Sequence, residues 1–538
     1  MPTFCIAGPV RVSENYCIPP LGRVGLERLG ALIAESKYFV LHAPRQTGKT
    51  TALLQLAADL RAQGLRALYV NVESAQTSRN DVLRGMKTIM AGLTRQARIA
   101  GLPMSRKLVQ AAWEAGPDGV LETLLGSWAE ADPAHPVVLF VDEIDSLNGD
   151  VLISVLRQLR ALYPNRGPAA PQSVVLCGVR DVKDYRIHTS TGEVVTGGSA
   201  FNIKEVSLRL GDFSRVEMEA LYAQHTASTG QVFTPEALEL CWALTMGQPW
   251  LVNALGREVC FEMDEGRDQT QPVTEALVQI ARQRLIVARA THIDQLTYRL
   301  REERVRRVVA PIVSGGGYDV EPSEDDLNYA IDLGLIAHRA GKLEVANAIY
   351  REVLPRVLTT FVALNFGTRF DVAWCRATDG SLDLDRLISG FQDFFRTSES
   401  VGRQAGGAPT HAWPISEYRE AEVQLVLQAY LQRVINGGGV IEREYGLGRG
   451  RTDLFIRWPY GEAGREEQRF VIEIKVQRGT RDAIIAEGLD QICEYADRCR
   501  AAAAHLVIFD RRPGIGWDER IFREVRTHAG RDVNVWGM

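Results

Sequence analysis

The sequence predicts an α/β chain, and three observations carry that prediction. Short, nearly continuous apolar runs at 38–43, 67–72, 137–142 and 173–178 alternate with helical stretches. Runs of this kind are strands buried on both faces, and the intervening helices imply a parallel sheet covered on both sides. The first run passes through a glycine-containing turn straight into a helix at 50–63. A further group of apolar runs, 453–456, 470–476 and 505–510, lies near the carboxyl end.

The turn after the first strand reads Ala43-Pro44-Arg45-Gln46-Thr47-Gly48-Lys49-Thr50-Thr51. Backbone N–H groups in such a loop cradle phosphates. Lys49 would reach the β- and γ-phosphates, and the Thr50 hydroxyl would ligate Mg²⁺. The helix N-terminus then points at the phosphates, where its dipole favours negative charge. Ala43 stands where the commoner motif has glycine.

The third run, Val137-Val138-Leu139-Phe140-Val141, ends in Asp142-Glu143. Asp142 would hold Mg²⁺, directly or through water, and Glu143 would polarise the attacking water as general base. The alternative is a core strand ending in solvated acids. Ligands bind parallel sheets at the carboxyl ends of the strands, so Lys49, Thr50 and Asp142 are expected to converge on one nucleotide.

At 538 residues the chain is long enough for several domains. A hydrophobic fraction of 46% and a charged fraction of 24% suit a globular protein. No apolar run is long enough to span a membrane. The start, Met-Pro-Thr-Phe-Cys-Ile, lacks the basic segment of a signal peptide, so a cytoplasmic location is expected. The net charge of −5 gives no global pull toward nucleic acid. The eight cysteines contain no Cys-x-x-Cys pair, and the nine histidines show no metal-ligand spacing.

Residues 212–290 turn helical, with Thr234-Pro235-Glu236 as a helix start and Gly247-Gln248-Pro249 as punctuation. The segment from Thr245 to Asn253 resembles the lid of prokaryotic AAA-like ATPases related to the STAND and origin-recognition groups. The resemblance implies a P-loop core at 1–205, a helical lid at 206–292 and a winged helix at 293–362, with ATP and Mg²⁺ as ligands. It also implies a γ-phosphate sensor at the end of the 173–178 strand, where Arg180 and Asp181 are the candidates; the alternative for these residues is a surface salt bridge. Many such ATPases form homo-oligomers that take an arginine from a neighbouring subunit; Arg157, Arg160 and Arg166 are the candidates here, and neither the choice nor the oligomeric state is decided by the sequence. In the winged-helix span, Ser323 caps a helix, and 335–346 reads as two short strands around Gly341. Arg301, Arg304, Arg306 and Arg307 lie upstream, interspersed with acids, and read as a solvated face or as phosphate contacts. The stretch 363–413 is a linker in this reading, with 398–413 as a polar loop or hinge.

From 414 to 538 a second chemical centre is expected. Asp453 opens one apolar strand, and Glu473 and Lys475 lie two apart on the next, so they face the same way. An antiparallel pair would bring Asp453 beside them, with 458–468 as the joining loop. Two converging carboxylates repel unless a cation lies between them, and Mg²⁺ or Mn²⁺ takes oxygen ligands of this kind. Asp453, Glu473 and the Ile474 carbonyl would bind it. Lys475, with a lowered pKa, would orient or deprotonate a water for attack on a phosphodiester. The alternative is a mixed sheet with a plain salt bridge.

This arrangement resembles the PD-(D/E)XK nuclease superfamily. The resemblance implies a further metal-site glutamate on the preceding helix, Glu420 before Glu422. It also implies a site-facing pair, Gln491 and Tyr495, as in the RecB-type branch. Thr452 stands where the family usually has proline. Taken together, the two resemblances imply an ATPase coupled to a metal-dependent nuclease acting on DNA, with RNA as the lesser alternative. A genome-defence or mobile-element role follows by analogy alone. The rival reading is a signalling NTPase whose C-terminal domain binds nucleic acid or protein without cutting. A protein-remodelling ATPase lacks support, since no second ATPase domain or substrate-pulling loop is apparent.

Overall fold

The computed structural model describes the chain except residues 1, 24, 103, 204–205, 288–298, 301, 315–321, 340, 359–371, 405–426, 429, 433–434, 436–438, 448–449, 462–465, 478, 511 and 513–514. The chain divides into two compact units, Met1–Leu296 with Ser323–Tyr350, and Thr297–Pro322 with Arg351–Met538. The division passes through the span 293–362 expected as a winged helix.

The first unit is built on strands β1 (Tyr38–His42), β2 (Arg66–Asn71), β3 (Val137–Asp142), β4 (Ser173–Gly178) and, beyond the small antiparallel pair β5 (Arg186–His188) and β6 (Val194–Thr196), β7 (Ser207–Arg209). The sheet order is β2-β3-β4-β1-β7, and every pairing is parallel. Side-chain alternation explains the layers. Tyr38, Val40, Leu139 and Val141 point into one core with the helices Val82–Ile99, Val120–Glu130 and Gly149–Leu162. Phe39, Leu41, Val138 and Phe140 point into the other, with Leu29–Ala34 and Lys49–Ala62. Each such fully buried side chain contributes about 1.5–3 kcal/mol, which is why both faces must be apolar. The four expected strands coincide with β1–β4 within a residue at each end. Strand β7 has no apolar run of its own and takes its place by pairing with β1 at the sheet edge.

Four helices follow, Arg215–Thr229, Pro235–Thr245, Pro249–Arg257 and Glu275–Val287. Ser214 and Glu217 form a reciprocal capping box, and Thr234 caps the next helix, with Pro235 in its first turn. The chain's beginning packs here. Phe4 meets Tyr16 edge-on at 4.9 Å, and the Tyr16 hydroxyl lies 3.1 Å from His225 Nδ1. Later in the unit, the helix Glu324–Asp332 is capped by Ser323, and β8 (Ile336–Arg339) pairs antiparallel with β9 (Lys342–Val345) around Gly341.

The second unit holds a six-stranded mixed sheet of β10 (Val440–Leu447), β11 (Gly450–Tyr460), β12 (Glu466–Gln477), β13 (Ala503–Asp510), β14 (Phe522–His528) and β15 (Arg531–Gly537). Its order is β10-β11-β12-β13-β15-β14. β10, β11 and β12 run antiparallel, β12, β13 and β15 parallel, and β14 is antiparallel to β15. The helix Arg481–Cys499 makes the crossover from β12 to β13. It lays Ile485, Leu489 and Ile492 on the face of Val471, Leu506 and Ile508.

On the opposite face the structure departs from the reading of 363–413 as a linker. The helix Leu384–Gln404 puts Leu387, Ile388, Phe391 and Phe395 against Ile472, Val507, Phe509 and Trp536. The Trp458 indole donates to Gly380 O at 2.9 Å, and Leu382 N donates to Gln468 Oε1 at 2.7 Å. These residues are core because their apolar spacing is helical, i, i+3, i+4, i+7. The unit is therefore larger than 414–538. Of the expected hinge 398–413, residues 398–404 are helical and the rest lie outside the described residues. The 458–468 loop is also shorter than expected, because Trp458, Pro459 and Tyr460 pair with Gln468, Glu467 and Glu466.

Candidate functional site

The carboxyl edge of the parallel sheet gathers the first constellation. Strand β1 ends at His42, and the loop to Gly48 leads into the helix Lys49–Ala62, with Gly48 at its N-cap in the left-handed region (φ 95°). Lys49 is 7% exposed, and its ammonium donates to Ala43 O at 2.8 Å and Pro44 O at 2.9 Å. The Thr47 hydroxyl donates to Pro44 O at 2.8 Å. The loop thus wraps the lysine charge with its own carbonyls.

Asp142 is fully buried at the end of β3. Its Oδ2 accepts hydrogen bonds from the Thr50 hydroxyl at 2.7 Å and the Tyr69 hydroxyl at 2.8 Å. Its Oδ1 accepts from Glu143 N at 2.9 Å. Glu143 has a left-handed backbone (φ 58°) that turns its side chain out of the strand. Burial, and then the charges of Asp145 and Asp142, hold its carboxyl above the usual carboxylate range.

At the end of β4, the Arg180 guanidinium stacks over Tyr185 at 5.0 Å and over Tyr329 at 4.5 Å. Asp181 is buried. The helix bearing Tyr329 also brings Asp332 to the sheet edge, with Oδ1 3.5 Å from His42 Nδ1 and 4.0 Å from Arg209 Nε. Among the arginines weighed for a neighbouring subunit, Arg160 donates to Ser199 O and Arg166 lies over Tyr163, while Arg157 is exposed. Arg307 pairs with Glu303, as on a solvated face, and Arg301 lies outside the described residues.

Sequence reasoning missed three parts of this site. Arg23 is buried, donates to Thr47 O and to Gly211 O at 2.6 Å, and lies over Phe213. Burial lowers its pKa to about 10. Tyr69 was visible only as a strand residue. The segment 5–10 walls a cavity beside Gln46, Thr47 and Gly48. Cys5 N donates to Asn253 Oδ1, Val10 N to Thr51 Oγ1, and the Trp250 indole to Ile6 O. No motif in 5–10 signals this; the partners lie far off in sequence.

The second constellation lies on the face of β12 that carries the helix Arg481–Cys499. Leu454 pairs with Ile472, so Asp453 stands beside Glu473, one step on, in the antiparallel ladder. Asp453 Oδ2 accepts from Ile474 N at 2.7 Å. Lys475 Nζ lies 2.5 Å from Gln491 Oε1, 3.2 Å from Glu487 Oε1 and 3.5 Å from Glu473 Oε1. Burial, with the Asp453 charge next, pushes the Glu473 carboxyl up to about 8. Lys475 departs from the expected lowered pKa. Burial alone would depress it, but Glu473, Glu487 and Asp453 together hold it above its ordinary value. Tyr495 is buried one turn past Gln491. Glu487 was missed, although its position one turn before Gln491 on the same helix places it on the same face. Glu420 and Glu422 lie outside the described residues. Among the described residues, no group of three His, Cys, Asp or Glu is disposed to hold a metal.

Residues 34–185 match the family described as AAA domain, so this portion is an AAA-type P-loop domain with an α/β parallel sheet. No curated protein matches the chain. Among solved structures, the chain is similar to the Walker-type ATPase of Pyrococcus abyssi at 13% identity, covering 65% of this chain and 99% of that one, with a TM-score of 0.46. It is similar to Cdc6p from Pyrobaculum aerophilum at 14% identity, covering 66% and 97%, with a TM-score of 0.35. It is also similar to Drosophila ORC bound to DNA at 16% identity, covering 65% and 94%, with a TM-score of 0.33. No described helix is long and apolar enough to cross a membrane.

Proposed function

We propose that this protein binds and hydrolyses ATP at the edge of its parallel sheet, and that its C-terminal unit is a metal-dependent nuclease of the PD-(D/E)XK kind acting on DNA. The first half rests above all on the 2.7 Å contact between Thr50 Oγ1 and Asp142 Oδ2 beside the buried Lys49. That all-oxygen pair fits Mg²⁺, which when bound neutralises phosphate charge. Lys49 and the 43–51 amides bind and orient the phosphates. Glu143 accepts the proton of the attacking water, a task suited to a carboxylate whose proton affinity is raised. The cavity wall at residues 5–10 and the helices after 212 enclose the nucleotide and exclude water. The helix Glu324–Asp332 and the β8–β9 pair belong to a winged helix that responds to nucleotide state.

The second half rests on Asp453, Glu473, Lys475 and Gln491 sharing one sheet face. Glu473 Oε2 is buried with no hydrogen-bond partner among the described residues, which suits a cation ligand. Asp453 and Glu473 would hold Mg²⁺ or Mn²⁺, with Glu420 as a further ligand, and the metal when bound polarises the phosphodiester. Lys475, steered by Gln491 and Glu487, orients the attacking water. Cleavage of single- and double-stranded DNA with Mg²⁺ or Mn²⁺, with and without ATP, tests this reading; no cleavage under any condition refutes it. The three acceptors around Lys475 also favour a second reading, in which the cluster is a salt-bridge network on a non-cleaving platform governed by the ATPase. DNA binding without cutting would select it.

A further inference from the structure

We infer that Asp145 is a positioning residue that ties Glu143 to Arg180, so that the base and the γ-phosphate reader move as one body. The inference rests on the ATPase reading above and goes beyond it by adding a residue that touches neither nucleotide nor water.

Strands β3 and β4 are neighbours in parallel register, Val141 opposite Leu176, so their carboxyl ends leave the sheet side by side. After Glu143 the chain makes one tight turn, closed by Ser146 N donating to Glu143 O at 2.9 Å. That turn fixes Asp145 relative to Glu143. Asp145 Oδ1 then crosses to the next strand end and accepts from Val179 N at 3.1 Å. Val179 is the residue before Arg180, so the bond holds the backbone from which Arg180 departs.

Gly178 permits this approach. A Cβ there would lie 2.7 Å from Asp145 Oδ1 and 2.9 Å from the Tyr185 hydroxyl, so any larger residue would push both away. Tyr185 completes the clamp, since its hydroxyl donates to Arg180 O at 3.4 Å and its ring lies under the Arg180 guanidinium. Asp145, Arg180 and Tyr185 line one cavity at this edge. Between the two sensor candidates, charge decides. Arg180 attracts a phosphate, whereas the buried Asp181 carboxylate repels one.

The test compares Asp145→Ala, which removes the acceptor, with Asp145→Asn, which keeps an oxygen in its place. Turnover is measured with Mg²⁺-ATP, and affinities for fluorescent ATP and ADP are measured in the Glu143→Gln background, where hydrolysis is blocked. Loss of one positioning contact is expected to cost about tenfold in turnover. Asp145→Ala should also lose ATP-over-ADP preference about as much as Arg180→Ala does, with ADP affinity unchanged. Asp145→Asn should restore most of both. The inference is overturned if Asp145→Ala keeps wild-type turnover and preference. It is equally overturned if Asp145→Asn is as impaired as Asp145→Ala, or if both nucleotides are lost alike. If the wild type itself shows no turnover and Glu143→Gln changes nothing, the ATPase reading fails first.

Discussion

Thr50 and Asp142 are 92 residues apart in sequence, yet the threonine hydroxyl donates to the aspartate Oδ2 at 2.7 Å. The phosphate loop and the acidic strand end are thereby joined directly. Neither side chain can change without disturbing the other.

Lys49→Ala should abolish ATP binding, because it removes the only ammonium held inside the loop. Titration with a fluorescent nucleotide checks this, and retained affinity would place the phosphates elsewhere. Glu143→Gln should bind ATP normally and hydrolyse it roughly 10²–10⁴-fold more slowly, the usual loss for a general base.

In the second unit, Asp453→Ala and Lys475→Ala should each end metal-dependent cleavage while leaving ATP turnover at the wild-type rate. Glu487→Ala should slow cleavage without ending it, since Gln491 still orients Lys475. A gel assay run alongside a phosphate-release assay separates the two activities. Persistent cleavage in the Asp453 variant would move the metal away from this sheet face.

Phe391 is fully buried against the sheet from a segment that sequence reading assigned to a linker. Phe391→Ala should therefore destabilise the C-terminal unit by about 3–5 kcal/mol, the cost of a core aromatic truncation. Urea unfolding followed by tryptophan fluorescence reads the loss. A true linker residue would cost nearly nothing.

His505 sits in the same core, where burial, and then the Arg523 charge, lower its pKa from 6.5 to about 3. Its Nδ1 accepts from the Trp536 indole at 3.3 Å and lies 3.6 Å from Asp385 Oδ1. The folded state resists protonation that the unfolded chain accepts, so the unfolded state binds more protons as pH falls. Stability is then complete above the unfolded value and is lost from about 6.5 downward, at about 1.4 kcal/mol per pH unit. His505→Gln should flatten that slope in urea midpoints taken between pH 8 and pH 5. An unchanged slope would assign the acid sensitivity to other groups.

The chemistry-bearing strands were legible because their signals are local. A short unbroken run such as Val137–Val141, rich in β-branched residues, reads as a strand buried on both faces, and its terminal acids then fall at the ligand edge. The Asp453, Glu473 and Lys475 cluster was legible for the same reason, since spacing by two fixes a shared face. What escaped were features set by distant partners. Arg23 earns its place only through Thr47, Gly211 and Phe213, and β7 only through β1. The helix Leu384–Gln404 carries a helical apolar stripe, but its polar, glycine-containing carboxyl end has the composition of a loop. Lys475 shows a different limit, because against burial its pKa is held up by Glu473, Glu487 and Asp453 together, and only the folded helix brings Glu487 within reach.

The segment at residues 5–10 is fastened at one end to the helix Pro249–Arg257, through Asn253, and at the other to the phosphate-loop helix, through Thr51. Those two amides form a pair of natural exchange reporters. Displacement of the helix Pro249–Arg257 would free the Cys5 amide to trade its hydrogen for deuterium, while rearrangement of the loop helix would free that of Val10. Their relative rates would reveal which wall of the cavity yields first.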